Sequence, residues 1–234
     1  MKFVFRNVLF QLGGARLKEN SIKCINGFTL KLFAILCMLI DHIGVLFFHN
    51  ILLFRIIGRM AFPIFCFLIV EGFHHTKSHI NYLIRLLLFA LISEIPFNLT
   101  FFGSLFYPGK QNVFFTLAMG LLCLFCLEEM NTRRIFVVPL VLIWLLAYAI
   151  HADYGIAGVL VICVFYLTRE MPVVQILLTG LIFYYEFSAL QLYALFAFIP
   201  ILLYNRKRGP DFKMLFYWFY PVHLLVLYGL TLIL

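Results

Sequence analysis

Long apolar runs, broken by short polar links, repeat along the chain from about residue 28 to its end. Nine such runs of ~15–22 residues qualify as membrane-span candidates, since a ~30 Å hydrocarbon core asks for about 20 apolar residues in helical form. They lie near 28–48, 57–74, 80–102, 113–127, 135–150, 154–168, 173–186, 188–204 and 214–233. A helix is the element that satisfies its own backbone inside such a run, so the pattern predicts an all-α polytopic transmembrane bundle. No soluble domain or linker interrupts it. Residues 1–27 read as a basic, amphipathic cytoplasmic segment, and 28–234 as one transmembrane domain. The short apolar patch at the start is interrupted by Arg6 and Asn7 and lacks a small-residue cleavage site. It reads as a helix lying on the membrane surface, not as a cleaved signal.

Punctuation inside the runs refines the elements. Pro63 suits the first turn of a helix, and Gly58-Arg59 a broken approach to it. Pro96 frees the carbonyl of Ile92, and Pro221 opens carbonyls of the last helix. Asp153, just before Tyr154-Gly155, is expected to cap the sixth run.

Composition agrees with a lipid-embedded chain. Of the 234 residues 65% are apolar and 12% charged, where a soluble domain has about half and about a quarter. One core of this size cannot hide that surplus. The net charge of +8 is concentrated in the links. Placing the N-terminus inside gathers Lys2, Arg6, Arg16, Lys18, Lys23, Lys77, Arg133, Arg134, Arg169, Arg206, Lys207, Arg208 and Lys213 on the cytoplasmic side. Arg55, Arg59 and Lys110 remain on the other. That asymmetry predicts an N-inside and, with an odd number of spans, C-outside topology. No basic face interleaved with stacking aromatics is present, so nucleic acid is not an expected partner. The six cysteines sit mostly in apolar runs as small hydrophobes; the lone CxxC at Cys123 and Cys126 lacks a second pair, and no metal is expected.

Charges inside the runs are the candidate chemistry, because each costs at least ~2.5–3.5 kcal/mol at a helix centre. Lys31 and His42 are eleven residues apart, close to a whole number of turns, so both project from one helix face ~16 Å apart. Asp41 is rotated about 100° from His42. Arg59, Glu71, Arg85 and Glu94 follow in the next two runs, and a buried Arg and Glu on neighbouring helices are expected to pair. His49, His74, His75 and His79 read as solvated link residues. Tyr220 and His223 flank Pro221. The basic link containing Arg206, Lys207 and Arg208 suits acidic lipid headgroups and nucleotide phosphates equally.

Several motifs in this order carry a family resemblance. "LKLFAILCMLIDHIG", "GRMAFPIFCFLIVEGFHHT", "RLLLFALISEIPFNL", "NVFFTLAMGLL", "ADYGIAGVL" and "FYWFYPVHL" resemble the TraX family, whose name-giving member is linked to acetylation of F-pilin. The family in turn looks like a compact branch of the transmembrane acyltransferases, multi-pass proteins of the cytoplasmic membrane, here a bacterial one. In those enzymes a basic residue and a histidine stand eleven positions apart on an early helix, a spacing that Lys31 and His42 reproduce, with Lys where many relatives have Arg.

The resemblance implies an integral membrane acetyltransferase that takes acetyl-CoA from the cytoplasm and modifies an amine or hydroxyl of a membrane-presented peptide, pilin-like protein or glycan. His42 is then expected as general base or as the residue that is transiently acylated, oriented or charged by Asp41 or Glu71. Lys31, Arg59, Arg85 and the Arg206–Arg208 link are expected to hold the donor. Glu94, Asp153, Tyr154, Tyr220 and His223 complete the motifs, and membrane lipid is the surrounding partner. Two other classes keep buried charges near broken helices: a small transporter or flippase, and a non-catalytic membrane assembly partner.

Overall fold

The computed structural model describes residues 23–130 and 136–234. The surface helix expected at the N-terminus and the Arg133-Arg134 link lie outside the described residues. Within them, the chain is helical: α1 (Gly27–Phe47), α2 (Leu52–Arg59), α3 (Ala61–His75), α4 (His79–Phe102), α5 (Val113–Glu129), α6 (Val137–Ala149), α7 (Gly155–Leu167), α8 (Pro172–Glu186), a 3₁₀ stretch (Ala189–Ala197), α9 (Phe198–Leu202) and α10 (Lys213–Thr231).

Side chains at the helix ends explain where many of these elements start and stop. Asn26 accepts from Thr29 N at 2.9 Å to open α1, Ser78 opens α4, and Asn112 accepts from Phe114 N to open α5. Each satisfies a backbone donor that the first turn leaves without an intrahelical partner. Pro172 stands at the first turn of α8, and Gly103, at φ +63°, ends α4 in the left-handed conformation.

Helices occupy all nine predicted runs, but four meet the length of a span by themselves: α1, α2 with α3, α4 and α10. The others are shorter; α6 and α7 have 13 residues each. The second long span is a helix broken at Met60, as Gly58-Arg59 anticipated, with Pro63 in the first turn of α3.

α3 occupies the centre and packs against α1, α5, α7 and the 3₁₀ stretch. It buries Phe62, Ile64, Cys66, Ile69, Val70 and Phe73. α4 lies at the periphery, where Ile80, Ile84, Leu87, Leu88, Leu91 and Ile95 stay exposed along one side. Its opposite side, with Tyr82, Leu86, Phe89, Ser93 and Phe97, is buried. Both faces are apolar, which suits a helix with lipid on one side and protein on the other. Thr100 ties α4 to α10, its hydroxyl reaching the carbonyls of Pro96 at 2.7 Å and Leu224 at 3.0 Å.

Polar contacts collect at two ends of the bundle. At one, Ile25 pairs with Tyr204, Gly27 N donates to Lys207 O, and Glu71 meets Arg169. At the other, Gln111 pairs with Ala152, Lys110 meets Asp153, and Asp41 meets Arg55 and Arg59.

Candidate functional site

The last third of α1 carries Asp41 and His42, which face different neighbours. α2 can come close to Asp41 because residue 58 is glycine; a Cβ there would overlap the carboxylate. Arg55 and Arg59 stand one turn apart on α2 and converge on that carboxylate. Arg59 Nη2 donates to both oxygens at 3.1 Å, and Arg55 Nη1 lies 2.9 Å from Oδ2. Arg59 Nη1 reaches onward to Gln191 Oε1 at 3.2 Å. Asp41 is therefore spent on neutralising two guanidinium groups, and the role of orienting His42 falls to another residue.

That residue is His223 on α10. Its Nε2 lies 2.8 Å from His42 Nδ1, with the two rings within 6° of parallel. The other nitrogen of His223, Nδ1, is 2.7 Å from the carbonyl of Phe219. A carbonyl only accepts, so His223 Nδ1 carries the proton, and in the neutral ring Nε2 is the lone-pair nitrogen. His42 Nδ1 must then be the donor, which leaves the lone pair of His42 on Nε2. One backbone carbonyl thus sets the tautomer of a side chain on another helix. Phe101 and Tyr220 enclose the His42 ring edge-on at 5.2 and 6.4 Å.

His42 and Asp41 share the wall of a cavity of about 460 Å³, with Arg55, Arg59, Lys110, Asp153, Tyr154, Gln191 and Tyr220 among the polar lining groups. Phe62, Phe97 and Phe101 supply apolar wall. The size and the mixture of apolar wall with a few converging polar groups are those of a small-molecule site. Tyr154 lies flat on Phe62, ring centroids 3.5 Å apart, and Gly158 leaves room for that stack. Asp153 is not the cap of α7: it meets Lys110 Nζ at 2.8 Å, and Tyr154 takes the cap position without a side-chain bond.

Other expected residues lie elsewhere. Glu71, three turns into α3, accepts from Arg169 Nη2 at 2.6 Å and Nε at 3.0 Å at the opposite end of the bundle. It does not line the cavity. Glu94 has amide partners, Asn112 Nδ2 at 2.6 Å and Asn98 Nδ2 at 3.3 Å. Arg85 meets neither glutamate; it lies 5.9 Å from the Tyr82 ring and close to Tyr217. The expected Arg–Glu pairing across neighbouring helices is thus replaced by Arg169 on Glu71 and tyrosines on Arg85. Lys31 sits 5.6 Å from the Phe216 ring, one residue along α10 from Tyr217, so Lys31 and Arg85 flank the same end of that helix. Arg208 and Lys213 both bind Asp211, and Arg206 meets Glu170. Lys207 N donates to Asn205 Oδ1. His49, His74 and His75 are exposed, but His74 and His75 form the last turn of α3 and not a link. His79 is not exposed: its ring stacks on Phe73 at 4.3 Å and its Nε2 lies 2.9 Å from Phe73 O.

Sequence reasoning missed Gln191 and the cavity roles of Arg55 and Lys110. An amide within the apolar "SALQLYALF" and the Arg55-x-x-x-Arg59 spacing were the available signals.

The comparisons with known proteins bear on this geometry. A probable fimbrial assembly protein, FimC of serogroup H1, from Dichelobacter nodosus is 32% identical over 86% of this chain and 94% of its own length. An uncharacterised protein from Rickettsia prowazekii (strain Madrid E) is 25% identical over 54% of this chain and 49% of its own. No solved structure matches. The family model described as TraX protein matches residues 26–231, which takes in every wall residue of the cavity, and the chain belongs to the TraX family.

Proposed function

We propose that the protein is a membrane-embedded acetyltransferase that uses acetyl-CoA to acetylate an amine or hydroxyl presented at the membrane. The observation that carries this reading is the pair His42–His223: an imidazole with a fixed tautomer, its lone-pair nitrogen on a polar cavity inside apolar helices. A group so placed costs stability in lipid and offers proton chemistry in return. His42 Nε2 takes the proton from the acceptor as its nitrogen or oxygen attacks the thioester carbonyl. The C–S bond breaks, the acetyl group stays on the acceptor, and the coenzyme thiolate takes the proton from the imidazolium.

With the N-terminus inside, the Lys31 end faces the cytoplasm and the cavity faces outward. Lys31 and Arg85 then attract the anionic donor at one end while the acceptor enters at the other, ~16 Å along α1. The Dichelobacter relative is named for fimbrial assembly, which makes a peptide or pilin-like subunit a natural acceptor, with a glycan as the other class.

The test compares acetyl transfer by wild type and His42→Ala at equal membrane abundance, scored by mass spectrometry for a gain of one acetyl group. Loss of about 10²-fold or more is expected. Undiminished transfer removes His42 as the base. A second reading, a non-catalytic assembly partner, is favoured by the name of that relative and by the contact His42 makes between α1 and α10. It requires His42→Ala to change abundance and leave any transfer untouched.

A further inference from the structure

The donors of the cavity wall outnumber its acceptors, and several of them are idle. Gln191 is 2% exposed, and its Nε2 has no hydrogen-bond partner among the described residues. The amide cannot be turned round to cure this, because Arg59 Nη1 donates to Oε1 and a guanidinium has no acceptor to offer Nε2. Arg59 Nε is likewise buried without a partner, and Arg55 Nη1 meets Asp41 as an ion pair without hydrogen-bond geometry. Among the wall residues three cations, Arg55, Arg59 and Lys110, face two carboxylates, Asp41 and Asp153, and both carboxylates are already engaged. One positive charge and at least two N–H groups are left over. A buried unpaired donor is costly unless a ligand completes it.

We infer that the acceptor bound in this cavity carries a carboxylate, seated on Gln191 Nε2 and Arg59 Nε with its nucleophile turned toward His42. The inference rests on the acetyltransferase reading for the meaning of "acceptor", while the binding itself needs no chemistry. A carboxylate is the fit because its single charge matches the single excess cation. Its two oxygens accept two of the idle donors, and charge-assisted bonds of this kind are the stronger ones. The apolar wall of Phe62, Phe97 and Phe101 leaves the rest of the ligand a mostly apolar seat.

The test uses the full chain in lipid nanodiscs with three probes: alanyl-glycine, alanyl-glycine amide and O-phosphoethanolamine. Binding is read by thermal stabilisation, and acetyl transfer is read separately as thiol release from acetyl-CoA. Alanyl-glycine should bind about tenfold or more tightly than its amide, the worth of a charged hydrogen bond. Gln191→Glu keeps an oxygen for Arg59 and so keeps the fold, but replaces the idle donor with a second acceptor; it should abolish that preference. Equal binding of the dipeptide and its amide, tighter binding of the phosphate probe, or stabilisation by none of the three overturns the inference. Transfer to other acceptors that depends on His42 but shows no carboxylate preference defeats this inference alone. Carboxylate-selective binding without transfer to any acceptor defeats the acetyltransferase reading and leaves the carboxylate seat standing.

Discussion

Asp41 and Glu71 are both acidic residues within apolar helices, and arginine neutralises each, yet their surroundings differ. Glu71 is 6% exposed and meets Arg169 through two nitrogens. It closes a clasp between the ends of α3 and α7, next to the strap formed by Ile25 with Tyr204. Asp41 holds two arginines at the edge of a cavity, one of which reaches on to a half-satisfied glutamine. Pairing at the first site neutralises the charge within packing, through Oε1 alone, while Oε2 is buried without a hydrogen-bond partner among the described residues and away from the cavity. Pairing at the second leaves a positive excess and open volume beside an imidazole. A charge inside a membrane is thus a weak pointer to function until its partners and the adjoining space are known.

Breaking the clasp should give the largest effect, and on stability. Glu71→Ala strands the Arg169 guanidinium, at a cost of about 4 kcal/mol; thermal unfolding in detergent and membrane abundance should both fall. Replacing both partners, Glu71→Met with Arg169→Met, should recover most of the loss, because the buried pair is worth little beyond the charge it hides. If the single variant instead folds normally and loses transfer, Glu71 belongs with the chemistry and the contrast with Asp41 fails.

His223 probes the cavity end. His223→Phe keeps an aromatic ring against Phe219 but removes the acceptor for His42 Nδ1–H, freeing the tautomer of His42. Turnover should drop by about 10–100-fold, the scale of an orienting partner to a metal-bound or catalytic histidine, with little change in unfolding temperature. His223→Gln, whose carbonyl can accept, should recover part of the rate. Equal loss in both variants would reduce His223 to packing.

Gly58 and Gly229 supply a smaller contrast between crowded and open helix faces. A methyl at Gly58 overlaps the Asp41 carboxylate, whereas one at Gly229 meets nothing within 4 Å. Gly58→Ala should destabilise by about 1–3 kcal/mol, as overpacking does, and reduce transfer as α2 withdraws its arginines. Gly229→Ala should be neutral or stabilise by about 0.5 kcal/mol, because helical glycine gives way to a better helix former. Unfolding temperatures of the two variants measure the difference.

How much of this was legible in the sequence follows from the range of the forces involved. Runs of apolar residues fix helices locally, so a helix stands in every predicted run, and Pro63 and Gly58-Arg59 mark the break at Met60 correctly. His42 was visible as a costly residue in a greasy helix. Its partner was not, since residues 42 and 223 meet only when α1 and α10 pack, and nothing near either one encodes that distance. Proximity in sequence misled in two places. Asp41, next to His42, points to α2 because successive helical residues diverge by about 100°. Asp153, next to a helix start, pairs with Lys110 because a full opposite charge outcompetes a backbone amide for its carboxylate. Gln191 lay unnoticed because one amide in an apolar run carries no period.

Lys31 separates the two ends of α1 most finely. It belongs to neither cluster just compared: it does not line the cavity, and it lies over Phe216 on the face that leads to Arg208 and Lys213. If it steers the anionic donor there, its removal should weaken capture of acetyl-CoA without disturbing the proton transfer at His42. Lys31→Ala should raise KM for acetyl-CoA about fivefold, roughly 1 kcal/mol, and leave kcat within about twofold. Lys31→Arg should hold or improve KM, since a guanidinium fork binds phosphate in two places where an ammonium is a point charge. The pattern opposes that expected of His42→Ala, which lowers kcat itself. A Lys31 variant that lowers kcat as His42→Ala does would mean that the ~16 Å between the two residues is bridged by the reacting groups themselves, and the division of α1 into a capture end and a chemical end would have to be given up.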